Sequence, residues 1–131
     1  MRNTERLSIL YFDDEAMCLD IFRQMFGAEC EVRTAQTLGE ARRALAETTF
    51  DLVFSDYWMP ETDGSTFLRE VAAAQPDSYR VMLTGAVGVG SMVTELSRGV
   101  IHLFLKKPWS EADVRTALEL AGVFKTLPMH H

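Results

Sequence analysis

Five short apolar runs, at 7–12, 31–35, 52–55, 80–83 and 102–105, are separated by stretches in which apolar residues recur at helical spacing. Runs of this length suit strands, and the stretches between them are long enough for crossover helices. The first, third and fourth runs are nearly continuous in apolar residues, as expected of parallel strands covered on both faces, and the more polar second run reads as an edge. Leu19, Phe22 and Phe26 make a helical stripe within 15–26, and Leu38, Ala41, Ala44 and Leu45 make the second. Phe67, Leu68, Val71 and Ala72, preceded by Gly64 and followed by Pro76, make the third, and Val114, Ala117, Leu118 and Ala121 make the last. The segment 88–98, with Gly85, Gly88, Gly90 and Gly99 around it, carries the largest entropy penalty for ordering and is the element expected to move. The alternation predicts an α/β fold: a doubly wound five-stranded parallel sheet with right-handed crossovers and five helices. Sheets of that kind bind ligands at the carboxyl ends of their strands.

At 131 residues and 47% hydrophobic, the chain is expected to form one domain over 1–127. The closing Met129-His130-His131 reads as the start of an affinity tag, so 128–131 is taken as a tag-derived tail and left out of metal-site reasoning. A formal charge of −6 argues against a nucleic-acid surface, which needs clustered Lys and Arg. Cys18 and Cys30 have neither the spacing of a zinc or redox site nor the density of a disulfide scaffold, and read as thiols in a reducing cytoplasm. The run at 7–12 is cut short by Asp13-Asp14-Glu15, too early for a signal sequence or a membrane span, so a cytoplasmic location with no membrane partner is expected.

The polar residues that end the runs are Asp13 and Asp14, then Asp56, then Thr84, then Lys106 and Lys107. Taken singly, each acid could do no more than cap the next helix. Three carboxylates, a hydroxyl and an ammonium converging on one sheet edge exceed what capping requires. Carboxylates so placed need a cation or raised pKa values. A hard divalent ion is the simplest partner; Mg²⁺ takes oxygen ligands and is often held by one or two carboxylates with phosphate oxygens. No His or Cys accompanies the acids in the sequence, which disfavours zinc. A carboxylate can also act as nucleophile and form an aspartyl phosphate, with the metal, hydroxyl and ammonium neutralising the transferring group.

Four ordered motifs carry a resemblance to receiver domains of bacterial two-component response regulators: Phe12-Asp13-Asp14-Glu15, Asp56-x-x-Met59-Pro60-x-x-x-Gly64, Leu83-Thr84-Gly85 and Lys107-Pro108-Trp109. The resemblance runs from about Leu7 to Gly122 and implies a flavodoxin-like sheet of strand order 2-1-3-4-5. It implies that Asp56 is the phosphoacceptor, that Asp13, Asp14, Asp56 and the Trp58 backbone carbonyl hold Mg²⁺, and that Thr84 and Lys107 bind the phosphoryl oxygens. Lys107 matches the family lysine because it precedes Pro108, in a bond that is typically cis in the family, and Lys106 is left as a solvated neighbour. Thr84 and Phe104 match the switch positions, although Phe104 stands where Tyr is more common and is equally read as a core residue. Trp58 is bulkier, and Ala86 smaller, than the usual residues at their positions; a Trp58 indole over the phosphoryl group would alter its lifetime, against the plain alternative of a surface tryptophan.

The implied function is transfer of a phosphoryl group from a phosphohistidine of a sensor histidine kinase or phosphotransfer protein to Asp56, assisted by the receiver itself, which is a signalling switch and no enzyme. Output is expected from the fourth helix, fifth strand and last helix, a face through which such modules form homodimers. The segment Phe104-Leu105-Lys106-Lys107-Pro108-Trp109 resembles receivers attached to HD-type phosphohydrolases or other large effectors. The alternative is a pseudo-receiver that keeps the fold as an interaction module without phosphorylation. A Mg²⁺-dependent aspartyl-phosphate phosphatase needs a second acid where Trp58 stands, and a flavin carrier needs a Ser, Thr and Gly-rich loop where Asp13-Asp14-Glu15 stands.

Overall fold

The structure is a computed structural model and describes residues 6–85, 93–94 and 96–127. Its elements run β1 (Ser8–Phe12), α1 (Ala16–Phe26), β2 (Glu31–Ala35), α2 (Leu38–Glu47), β3 (Leu52–Asp56), α3 (Gly64–Ala74), β4 (Tyr79–Thr84), β5 (Leu103–Lys106) and α4 (Glu111–Thr126). All strands pair in parallel in the order β2-β1-β3-β4-β5, so the polar β2 is an edge strand as expected. Four helices have full bounds among the described residues. Of the further helix predicted at 88–98, Val93, Thr94, Leu96 and Ser97 are helical, while Ala86, Gly88 and Gly90 lie outside the described residues, as do Met129, His130 and His131. No described helix is long and apolar enough to cross a membrane.

Alternate strand residues feed two cores. Ile9, Tyr11, Phe54 and Leu83 face Leu19, Phe22 and Phe26 of α1 and Val114, Ala117 and Ala121 of α4. Leu10, Phe12, Val53 and Met82 face Ala41 and Ala44 of α2 and Phe67, Leu68 and Val71 of α3. With successive side chains on opposite faces and both faces covered, β1, β3 and β4 have little room for polar residues until they reach their carboxyl ends. Each large side chain buried in this way stabilises the fold by about 1.5–3 kcal/mol.

Helices α2, α3 and α4 start where side chains satisfy their free amides: Thr37 accepts from Glu40 N–H, Asp63 from Thr66 N–H, and Ser110 forms a reciprocal capping box with Asp113. At the base of the sheet the buried Arg80 guanidinium donates to the carbonyls of Val100 (2.6 Å), Ser78 (2.8 Å) and Gly99 (3.2 Å). It thereby clips the chain entering β5 to the start of β4. Gly99 sits there at φ +73°, where a Cβ would be strained.

Candidate functional site

Register brings the strand-end residues together. Phe12 pairs with Ser55, Asp56 with Leu83, and Thr84 with Lys106, so the residues leaving these positions meet at one edge of the sheet. Asp13 is fully buried, Asp56 and Thr84 are buried, and Asp14 is half-buried. Carboxylate oxygens of Asp13, Asp14 and Asp56 lie within 4.8 Å of one another. The Lys107 ammonium is 3.0 Å from Asp13 Oδ2, 3.5 Å from Asp56 Oδ1 and 3.7 Å from Glu15 Oε1, and the Lys107 amide donates to the Thr84 carbonyl at 2.9 Å. The Lys107-Pro108 bond is cis. Lys106 is exposed, as a solvated neighbour should be.

Capping does not explain these acids. The N-cap of α1 is Glu15 and that of α3 is Asp63. Asp13 Oδ1 instead accepts from Glu15 N–H at 2.9 Å, and Asp56 Oδ1 from its neighbour Tyr57 N–H at 3.0 Å. Burial and the charge of Asp13 push the Asp56 carboxyl up to about 6, against the pull of Lys107 and the Tyr57 amide. Burial works to lower the Lys107 pKa, but its hydrogen bond to Asp13 and the charges of Asp13 and Asp56 carry it above its ordinary value. The pocket keeps its one ammonium charged while crowding its anions, an imbalance that a hard cation relieves.

Two further observations bear on what the pocket can hold. Thr84 Oγ1 is buried with no hydrogen-bond partner among the described residues, an arrangement that is costly unless a ligand oxygen meets it. The acids, moreover, have a cysteine nearby after all. The first turn of α1 brings Cys18 beside Glu15, its thiol donating to Oε1 at 3.2 Å, and Asp13, Glu15 and Cys18 also group within 4.8 Å. The linear spacing hides this because one helical turn separates Cys18 from the acids. Burial and the hydrogen bond to Glu15 push the thiol up to about 11, so at neutral pH it stays protonated and the oxygen donors dominate.

Gly64 has a steric reason for its place in the motif that begins at Asp56. A Cβ there would lie 2.4 Å from Met82 Sδ and 2.6 Å from the Asp56 carbonyl oxygen, and the Gly64 amide donates to the Tyr57 carbonyl at 2.8 Å. The loop between Asp56 and α3 is closed further by a bridge from Trp58 to Asp63. The Trp58 side chain is 67% exposed and packs edge-on against Tyr57 with ring centroids 4.8 Å apart. Phe104 is half-buried on β5, paired with Met82 and packed on the second core.

Sequence reading passed over Tyr11 and Trp109 as site residues. Trp109 Nε1–H donates to the Tyr11 hydroxyl at 2.9 Å, and that hydroxyl lies 3.3 Å from Asp13 Oδ2. A signal for Tyr11 was present, since it stands on β1 two residues before Asp13, in step with the strand's alternation. Trp109 stands two residues past Lys107, where no periodicity shows its direction.

The chain belongs to the response regulator receiver domain family, which matches residues 9–119. It is 27% identical to the hydrogenase transcriptional regulatory protein HoxA of Cupriavidus necator, over 91% of this chain and 26% of that protein. It is 31% identical to the alginate biosynthesis transcriptional regulatory protein AlgB of Pseudomonas aeruginosa, over 83% of this chain and 24% of that protein. The chain thus spans about a quarter of the length of these relatives. In structure it is similar to the receiver domain of an HD domain-containing protein from Pseudomonas fluorescens, with a TM-score of 0.84 and 27% identity over 92% of this chain and 98% of that one. It is also similar to a receiver domain from Clostridium thermocellum, with a TM-score of 0.85 and 28% identity over 94% and 99%. The protein is therefore a receiver domain of the two-component class.

Proposed function

We propose that Asp56 is the phosphoacceptor of this receiver and takes its phosphoryl group from a phosphohistidine of a sensor histidine kinase or phosphotransfer protein. An Asp56 carboxylate oxygen forms the new bond to phosphorus as the phosphorus–nitrogen bond breaks, and the electron pair of that bond leaves with the imidazole. Asp13, Asp14, Asp56 and the Trp58 carbonyl are the oxygen donors for Mg²⁺, which when bound neutralises charge on the transferring group. Thr84 and Lys107 donate to the phosphoryl oxygens, so the chain assists its own phosphorylation. The observation that carries this reading is the buried Thr84 hydroxyl, without a partner among the described residues, at the same sheet edge as the three acids and Lys107. An interaction module that is never phosphorylated has no use for that hydroxyl.

Movement of Thr84 toward the phosphoryl group would repack Phe104 and reach the face made by the helical segment around Val93, β5 and α4. Val93, Leu96, Leu120 and Val123 are exposed apolar residues there, which supports homodimerisation or docking of an effector on that face. Its relatives include transcriptional regulators and the receiver of an HD domain-containing protein, and the output of the parent protein is taken to be of one of these kinds.

The reading is tested by intact mass after incubation with a small phosphodonor and MgCl₂. The wild type should gain one phosphoryl group and Asp56→Asn none; no gain on the wild type would refute it.

A further inference from the structure

A chain of hydrogen bonds leaves the acidic pocket through residues that phosphoryl transfer itself does not use. The Trp109 indole N–H reaches the Tyr11 oxygen at 2.9 Å, and the Tyr11 hydroxyl reaches Asp13 Oδ2 at 3.3 Å. The same carboxylate oxygen receives the Lys107 ammonium at 3.0 Å, while Oδ1 receives the Glu15 amide at 2.9 Å. Chemistry gives the chain its direction. An indole N–H is a donor only, so the Tyr11 oxygen accepts from it, and the single hydroxyl proton is left to point at an acceptor. Asp13 Oδ2 is that acceptor.

Packing holds both ends of this relay. Tyr11 is fully buried, with Phe22 at 4.6 Å and Phe54 at 5.9 Å between ring centroids, so its hydroxyl has little freedom to turn elsewhere. Trp109 lies edge-on to Phe22 at 5.8 Å and tilted against Phe26 at 6.4 Å. The loop after β5, helix α1 and the acidic pocket therefore meet on one carboxylate.

The geometry points to Trp109 and Tyr11 as positioning residues of the pocket: the donor-only indole directs the Tyr11 hydroxyl onto Asp13, orients that carboxylate for a divalent cation, and makes the 107–109 loop responsive to the cation's arrival. The inference rests on Asp13, Asp14 and Asp56 holding such a cation, as proposed above. Neither residue touches the phosphoryl group, so their effect falls on cation affinity before any chemistry.

The test is a MgCl₂ titration of the full chain followed through backbone amide and tryptophan indole ¹⁵N–¹H signals, on the wild type, Tyr11→Phe, Trp109→Phe and the double variant. Both replacements keep an aromatic ring in place; Tyr11→Phe removes only the hydroxyl, while Trp109→Phe removes the indole donor together with part of its contact with Phe22 and Phe26. In the wild type the Trp109 indole signal should move together with the amides around Asp13 and Asp56, with one dissociation constant. Each single variant should weaken Mg²⁺ binding about 3- to 10-fold, the size of one hydrogen bond. The double variant should be no weaker than Tyr11→Phe, because the indole acts through the hydroxyl. Unchanged Mg²⁺ affinity in both single variants, with losses of melting temperature that add, overturns the relay and leaves packing as the role of Trp109. If the wild-type amides at 13, 14 and 56 do not move with MgCl₂, the cation reading fails and the relay falls with it. Should Tyr11→Phe not fold, Trp109→Phe alone decides, since it deletes the indole donor directly.

Discussion

Lys107 and Asp13 stand 94 residues apart in the chain, and the ammonium of one lies 3.0 Å from a carboxylate oxygen of the other. Lys107 thus occupies the anionic pocket as a resident cation and also reaches Asp56 at 3.5 Å. Removing it deepens the negative potential while deleting a phosphoryl donor. Lys107→Ala should therefore bind Mg²⁺ several-fold more tightly by calorimetry, yet accept phosphoryl groups at least tenfold more slowly by intact mass.

Thr84→Val replaces a hydroxyl that has no partner among the described residues with a methyl of similar shape. An unsatisfied buried hydroxyl carries a penalty of about 1–3 kcal/mol, so the variant should melt at or above the wild-type temperature. Phosphoryl transfer should slow on the order of tenfold or more, the cost of one hydrogen bond to a charged group. A fall in melting temperature would mean that the hydroxyl has a structural partner.

Gly64→Ala should destabilise by about 1–3 kcal/mol in urea denaturation, because the added carbon meets Met82 Sδ and the Asp56 carbonyl. Relief of that clash displaces the backbone that carries Asp56, so phosphoryl uptake should fall as well.

His102 supplies a pH dependence far from the pocket. Its Nδ1 accepts from the Arg80 backbone N–H at 3.0 Å, its ring stacks on Tyr79, and burial, with the nearby Arg80 charge, lowers its pKa to about 4. As pH falls below 6.5 the unfolded chain takes up a proton here that the folded chain resists until about 4, so this contribution to stability is present above 6.5 and is lost toward 4. The wild-type melting temperature should fall relative to that of His102→Gln across this window, and parallel curves would refute the assignment.

Trp58→Ala tests whether the exposed indole shields the phosphoryl group. If it does, the variant should lose its phosphoryl group faster than the wild type at equal MgCl₂, followed by mass over time. An equal rate would leave Trp58 as a surface tryptophan packed on Tyr57.

Much of the molecule was legible in the order of its residues. The stripe Leu19, Phe22 and Phe26 is buried as its spacing requires, and β2 spans the residues expected for it. The strand-end acids and Lys107 were also legible, because parallel strands of similar length must end at one edge. Less was visible in Cys18, which a helical turn returns to the acids, and in Trp109, whose direction depends on the path of the loop after β5. Asp14 and Asp56 each suggested helix capping as readily as a ligand's role, and only the structure puts Glu15 and Asp63 at the N-cap positions instead.

By itself the sequence determined the alternation of strands and helices, the two-faced burial of the sheet and the chemical types gathered at its carboxyl edge. These follow from periods of 2 and 3.6 residues, which are properties of local backbone geometry. Tertiary structure alone decided that Asp13 Oδ2 is shared by Lys107 and the Tyr11 hydroxyl, that Trp109 stands behind Tyr11, and that Thr84 Oγ1 has no hydrogen-bond partner among the described residues. Those contacts depend on register between distant strands and on the packing of the loops that leave them. Tenths of an ångström separate a hydrogen bond from a near miss, and no local pattern carries that distance.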